Sequence, residues 1–150
     1  MSLKAKLQSD LTESIRSKDE LRSSTIRMVL TAITNEEVAG KEARTLSDAE
    51  IITVLTREVK KRREAVEAFT QGGAVDRADR EKEEGKVIAE YLPAQLTSEE
   101  LAKLIQEAIT ETGASGSSGM GAVMKHLQAK IAGRADGATV STAVKSALSN

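Results

Sequence analysis

The stretch that decides the fold runs from Ser47-Asp-Ala-Glu50 to Phe69 and is closed by Gly72-Gly73. Ser-x-x-Glu is a capping box. The Ser47 hydroxyl takes one backbone N–H left without an intrahelical partner, and the Glu50 carboxylate reaches back to the N–H of Ser47. From there Ile52, Leu55, Val59, Val66 and Phe69 recur at helical spacing and trace one apolar face until the glycine pair stops it.

The same period extends in both directions. Towards the N-terminus, Leu3, Leu7, Leu11 and Ile15 fall every four residues, with Ser2 placed as an N-cap. A second helix is expected from about Asp19 to Ala39, burying Leu21, Met28, Val29 and Ile33, with Gly40 as its C′ glycine. Towards the C-terminus, a charged helix is expected from Asp76 to Tyr91. Pro93, the only proline, ends it, because the residue before a proline is pushed out of the helical region. Thr97-Ser-Glu-Glu100 reads as a second capping box. It opens a helix through Leu101, Leu104, Ile105, Ala108 and Ile109 that Gly113 terminates. A loop rich in glycine and serine follows over 113–119, then a helix near 120–131, a Gly133-Arg-Ala-Asp-Gly137 turn, and a last helix from Thr139 to Leu148.

These spans make the chain roughly three quarters helical, against the usual third, and no segment alternates like a strand. The expected fold is therefore all-α. Leu92-Pro93-Ala94 is the natural boundary. It divides a four-helix N-terminal lobe (1–92) from a small three-helix C-terminal lobe (93–150) that, at under 60 residues, is marginal alone and expected to lean on the first.

Composition narrows the function. Phe69 and Tyr91 are the only aromatic residues of 150, so the core is aliphatic. Single-stranded RNA readers stack bases on aromatic rings, and this chain has too few. With 22 basic and 23 acidic residues the net charge is −1, which does not advertise a nucleic-acid binder by bulk charge, and no DNA role is expected. There is no cysteine, hence no disulfide framework, no thiolate metal site and no cysteine nucleophile. No long apolar run appears, and Met1-Ser-Leu-Lys-Ala-Lys-Leu7 has no hydrophobic core of a signal sequence. A cytoplasmic protein with no membrane segment is expected.

Three stretches together carry a resemblance. They are Glu58-Val-Lys-Lys-Arg-Arg-Glu-Ala-Val-Glu-Ala-Phe69, Glu90-Tyr-Leu-Pro-Ala-Gln-Leu96, and Met120-Gly121 through Gly133-Arg-Ala-Asp-Gly137 with Val140-Ser141 after it. Leu21-Arg22 and Ile26-Arg27-Met28 fit a second helix of the same pattern. The chain resembles the GatB/YqeY family along essentially its whole length, and in particular its small stand-alone YqeY-like members. In the larger relative, the B subunit of the tRNA-dependent amidotransferase, the same helical module is a C-terminal tail that leans on tRNA, while the chemistry sits in a separate domain. The resemblance thus implies an all-α two-lobe fold and, by analogy, a role connected with tRNA. A carbon–nitrogen ligase activity with glutamine as amido-N donor would reach this chain only through the relative's name.

The residues themselves argue against catalysis. Amide transfer needs an activated nucleophile. Ser115, Ser117 and Ser118 lie in a glycine-rich loop that Lys125 could approach, and no nucleophile elbow or phosphate loop is present. His126 is the only histidine and makes no metal site alone. No catalytic residue, metal or cofactor is expected.

The densest positive run is Arg57, Lys60, Lys61, Arg62 and Arg63. Arg62 is spaced to meet Glu58, Lys60 to meet Glu64 and Arg63 to meet Glu67, which describes a salt-laced helix face; Lys61 has no acid four residues away. In the terminal turn, Gly133 suits a left-handed position, Asp136 suits a helix cap and Arg134 suits a carboxylate or carbonyl partner. Alternatively the backbone between the glycines receives a phosphate with Arg134 as its fork. Gly133, Asp136 and Gly137 are read as structural. Lys60, Lys61, Arg63, Lys125, Lys130 and Arg134 are the candidate RNA contacts. The expected function is a non-catalytic helical module that binds tRNA, or a tRNA-handling enzyme, by shape and backbone charge. The alternatives are a protein-interaction adaptor without an RNA role and a small amidase-like enzyme.

Overall fold

Ser2 accepts from the N–H of Ala5 at 3.1 Å and opens α1 (Leu3–Arg16). The computed structural model describes residues 1–149; Asn150, the last residue of the expected C-terminal lobe, lies outside them. The described residues form seven α-helices and no strand: α1, α2 (Glu20–Glu37), α3 (Asp48–Gln71), α4 (Val75–Ala89), α5 (Ser98–Thr112), α6 (Met120–Ile131) and α7 (Gly137–Ser149). A single 3-10 turn at Ser117–Gly119 leads into α6. The chain is all-α and divides into two compact units, Met1–Leu92 and the residues from Pro93 on.

Several starts and stops have a local cause. Asp19 caps α2 by accepting from the N–H of Arg22 at 3.1 Å. The Ser47/Glu50 capping box is complete, with both hydrogen bonds made, at 3.2 and 2.8 Å. Gly113 closes α5 in the left-handed region at φ 68°, where a Cβ would be strained.

The first unit packs α1 on α2, and α3 on α4 across a three-residue turn at 72–74, as a helical hairpin. Its core is Leu7, Ile26, Val29, Ile33, Leu46, Ile51, Val54, Leu55, Val87 and Ile88. The second unit packs α5, α6 and α7 around Leu101, Ile105, Ala108, Val123, Leu127, Ile131, Val140, Val144 and Leu148.

The structure corrects several expectations. The buried stripe of α3 is turned by about one residue: Ile51, Val54 and Leu55 are buried, while Ile52, Val59, Val66 and Phe69 are half-buried. Ile51 and Ile52 are equally apolar, so only the neighbouring helices choose between them. Met28 is 41% exposed; the buried face of α2 runs through Ile26, Val29 and Ile33, and Met28 sits off that row. Gly40 is not the residue that stops α2, which ends with Val38 as its C-cap and no left-handed glycine. Instead the Glu37 carboxylate turns back. It accepts from the Leu46 N–H at 3.1 Å and from Lys4 Nζ at 2.6 Å, so the 38–46 connection is tied to α1 and α2. Tyr91 lies just past α4, in the turn where the Tyr91 and Leu92 N–H groups donate to Ile88 and Ala89. At Thr97 only half of the second box forms: the hydroxyl accepts from the Glu100 N–H at 3.1 Å, but the Glu100 carboxylate turns towards Arg134.

Candidate functional site

The six candidate RNA contacts divide between the two units. Lys60, Lys61 and Arg63 are exposed on α3 of the first. Lys125 and Lys130 are exposed on α6 of the second, and Arg134 is half-buried in the turn that follows.

On α3 the basic run is more committed than its spacing suggested. Arg57 Nη2 lies 3.4 Å from Glu36 of α2. Lys61 does have an acid within reach, three residues back instead of four: its Nζ lies 3.3 Å from Glu58 Oε1. Arg62 is not on the surface at all. It is 7% exposed and ties α3 to α4. Its Nη1 donates to the Glu58 carboxylate at 2.8 Å and to the Glu58 carbonyl at 3.1 Å; its Nη2 lies 3.7 Å from the Met28 sulfur. Its Nε lies 3.4 Å from Glu84 Oε2 and makes no hydrogen bond. Glu84, itself 5% exposed, has its other oxygen 3.3 Å from Arg80 Nε. Burial pushes the Glu58 carboxyl up, but Arg62 and Lys61 outweigh it and leave Glu58 below the ordinary carboxylate range. The sequence signal was present: Arg62 stands at i+7 from Leu55, on the same stripe as the core.

The Glu90-Tyr-Leu-Pro element has an equally structural account. The Tyr91 hydroxyl donates to Asp10 Oδ2 at 2.5 Å, joining the end of α4 to α1. Lys6 stands 5.6 Å from the Tyr91 ring centre and 3.1 Å from Asp10. Arg22 Nη2 meets Glu90 at 2.7 Å, and this bond holds the guanidinium pKa above its usual value. The tyrosine hydroxyl bond, aided by Lys6, holds Asp10 below the ordinary carboxylate range against a smaller upward push from burial. Burial and then Asp10 push the Tyr91 phenol up to about 12.

In the second unit the terminal turn is an internal clasp. Gly133 adopts φ 73° and its carbonyl accepts from the Gln95 side-chain amide at 2.8 Å. The Arg134 carbonyl accepts from the Leu96 N–H at 2.8 Å, and its Nε donates to the Ala94 carbonyl at 3.1 Å. Arg134 Nη2 also stands 3.8 Å from Glu100. Asp136 caps α7, accepting from the Thr139 N–H at 2.9 Å and the Thr139 hydroxyl at 2.7 Å. Gly137 begins α7, and a Cβ there would meet nothing. Arg134 therefore holds the 93–96 segment against the turn.

Ser115, Ser117 and Ser118 are exposed in the loop and 3-10 turn before α6. His126 Nε2 lies 2.6 Å from Glu111 Oε2 across α5 and α6, a contact that becomes a charge-assisted hydrogen bond when Nε2 carries the proton. Among the described residues no three histidine, aspartate or glutamate side chains gather as a metal site, and no helix is long and apolar enough to cross a membrane.

What remains is a sorted surface. The α5 segment, 97–112, carries Glu99, Glu100, Glu107 and Glu111 against Lys103 alone. The segment from Gly113 on carries Lys125, Lys130, Arg134 and Lys145 against Asp136 alone, and Asp136 is spent as a cap. Lys145, exposed on α7, was not among the sequence candidates because it lies outside every motif.

This is a small helical protein built of two caps-and-glycine-delimited bundles. Its sequence matches the model of the Yqey-like protein family over residues 4–148, and the chain belongs to that family. Similar proteins include three yeast proteins called "Altered inheritance of mitochondria protein 41, mitochondrial". The one from Candida glabrata is 30% identical over 57% of this chain and 47% of its own length. The one from Kluyveromyces lactis is 30% identical over 68% and 56%. The one from Clavispora lusitaniae is 28% identical over 87% and 77%. The chain thus spans about half the length of the Candida glabrata and Kluyveromyces lactis proteins.

Proposed function

We propose that this chain is a non-catalytic helical module that binds tRNA, or a tRNA-bearing enzyme complex, through the backbone charge of a folded RNA. The observation that supports it is the sorting of charge in the second unit: the α6–α7 segment offers Lys125, Lys130 and Lys145 as exposed cations, with its one acid turned into a cap. Phosphate oxygens, which recur along any folded RNA, suit such a surface. Tyr91 is spent on the core and on Asp10, and the half-buried Phe69 has Arg77 over its ring at 5.9 Å, which favours backbone contact over base stacking. Arg134 contributes by keeping the turn in place, and Lys60 is the α3 cation with most freedom to join. The module acts in whichever compartment holds its RNA, the cytoplasm or, as the names of the relatives carry, the mitochondrion.

The test is binding of total tRNA to the purified chain, titrated against salt. Affinity should fall linearly on a logarithmic scale, with a slope of about one per phosphate neutralised. Reversal of Lys125, Lys130 and Lys145 to glutamate should lower the slope by about three and leave thermal stability within about 0.5 kcal/mol. Absence of binding, or binding indifferent to salt and to the reversal, refutes the proposal. Glutaminase turnover by the chain alone would favour the enzyme alternative.

A further inference from the structure

One surface of the first unit is unlike the rest. Between α3 and α4 runs an open groove of about 260 Å³, floored by Val59, Val66 and Ala89 and by the stems of longer side chains. Arg62 closes it from below, with its charge already met by Glu58 and Glu84. Gly85 stands in the middle of the α4 wall. Glycine disfavours a helix interior, and here nothing inside the chain requires it: a Cβ at Gly85 would meet only the Cβ of Arg62, at 4.0 Å, an ordinary contact. The missing side chain keeps the floor open. The rim carries Lys82 and Lys86 against Glu81, Arg63 being engaged within the chain; Lys86 shares its charge with Glu83 at 2.9 Å.

We infer that this groove is a docking site for an acidic amphipathic helix of a partner protein. The geometry matches such an occupant. Val59 to Val66 spans about 10 Å, two helical turns, so a helix laid along the groove presents apolar residues at i, i+4 and i+7 to the floor. Its flanking aspartates and glutamates face Lys82 and Lys86. An RNA backbone is a poorer fit, because it has no apolar edge for Val59, Val66 and Ala89. The site uses none of the α6–α7 cations invoked for tRNA.

The experiment uses the full chain, isotope-labelled, and a short synthetic helix with leucines at i, i+4 and i+7 flanked by glutamates. Amide shifts should change at 59–66 and 81–89. Gly85→Leu, which fills the floor, should weaken binding by about tenfold or more. Should that variant fail to fold by circular dichroism, Lys82→Glu with Lys86→Glu serves the same purpose on the rim. Reversal of Lys125, Lys130 and Lys145 to glutamate should leave peptide binding unchanged, so failure of the tRNA proposal does not touch this one. No binding, equal binding of the same peptide with lysines for glutamates, or shifts elsewhere on the chain overturns the inference. Stronger shifts at these residues with tRNA than with peptide would give the groove to RNA.

Discussion

The two units reach stability by different means. Every buried polar side chain among the described residues (Ser14, Ser23, Thr25, Glu37, Arg62 and Glu84) belongs to the first unit. So do six groups whose pKa is displaced: Asp10, Arg22, Glu37, Glu50, Glu58 and Tyr91. The second unit has an aliphatic core with no buried charge, and its titratable groups stay at or near the surface. The first unit uses its charges to fix the relation of its own helices. The second leaves most of its cations for something else. A charge inside a helical scaffold and a charge on it can share the same i,i+4 pairing, and the partner on the next helix tells them apart.

Six measurements can break or sharpen this contrast. The largest effect should come from Arg62→Met, which removes the buried cation between Glu58 and Glu84, leaves them only the exposed Lys61 and Arg80, and should cost about 3–5 kcal/mol in chemical denaturation. A loss under about 1 kcal/mol would mean that the pair is solvated. In the second unit, Leu127→Ala should cost about 2–5 kcal/mol through the cavity alone, and the cost should not vary between pH 7 and pH 4.

Acid should separate the units next. Asp10, Glu37, Glu50 and Glu58 all have folded pKa values below their unfolded ones. The stability they supply is complete above the unfolded carboxylate values near pH 4 and is lost as pH falls through the folded ones. Amide exchange between pH 5 and pH 3 should therefore show protection failing in α1–α4 before α5–α7; the reverse order would contradict the contrast.

Tyr91 supplies a smaller and sharper effect. It is the only tyrosine, so a near-ultraviolet absorbance titration reports it alone. Ionisation should centre at about 12. The folded value is raised, so its stabilising share is full below the unfolded value near 10 and disappears as pH rises through the folded one. Tyr91→Phe should cost about 1–2 kcal/mol by removing the phenol donor of Asp10 and leaving it only Lys6. The smallest change runs the other way: Gly85→Ala should stabilise the first unit by about 0.5–1 kcal/mol, because alanine favours the helix and its methyl has room. A loss of stability there would show that the floor is tighter than the contact at 4.0 Å allows.

What was legible in the sequence was what is local. Ser2, Ser47 and Thr97 cap helices by bonds three residues long, and Gly113 and Gly133 take their conformation from the turn they occupy. The Asp136 cap follows the same rule. The burial of Arg62 was written in its place seven residues after Leu55, but the i,i+4 match to Glu58 gave it a sufficient surface explanation, and its tie to Glu84, on another helix, was not legible. A carbonyl or carboxylate partner for Arg134 was the favoured reading of the turn, but which ones, Ala94 and Glu100, lay too far away in sequence to be read. Lys61 met Glu58 at i−3, a spacing as good as i+4 on a helix. The face of α3 was legible only to within a residue, since two adjacent isoleucines offer the same period.

The most direct measurement is a residue-resolved amide titration of the labelled chain with total tRNA at low and moderate salt. The account predicts salt-sensitive shifts gathered on α6, the 133–136 turn and α7, with the buried cluster of Arg62, Glu58 and Glu84 unmoved. Shifts centred on that cluster, or none anywhere at low salt, would contradict it.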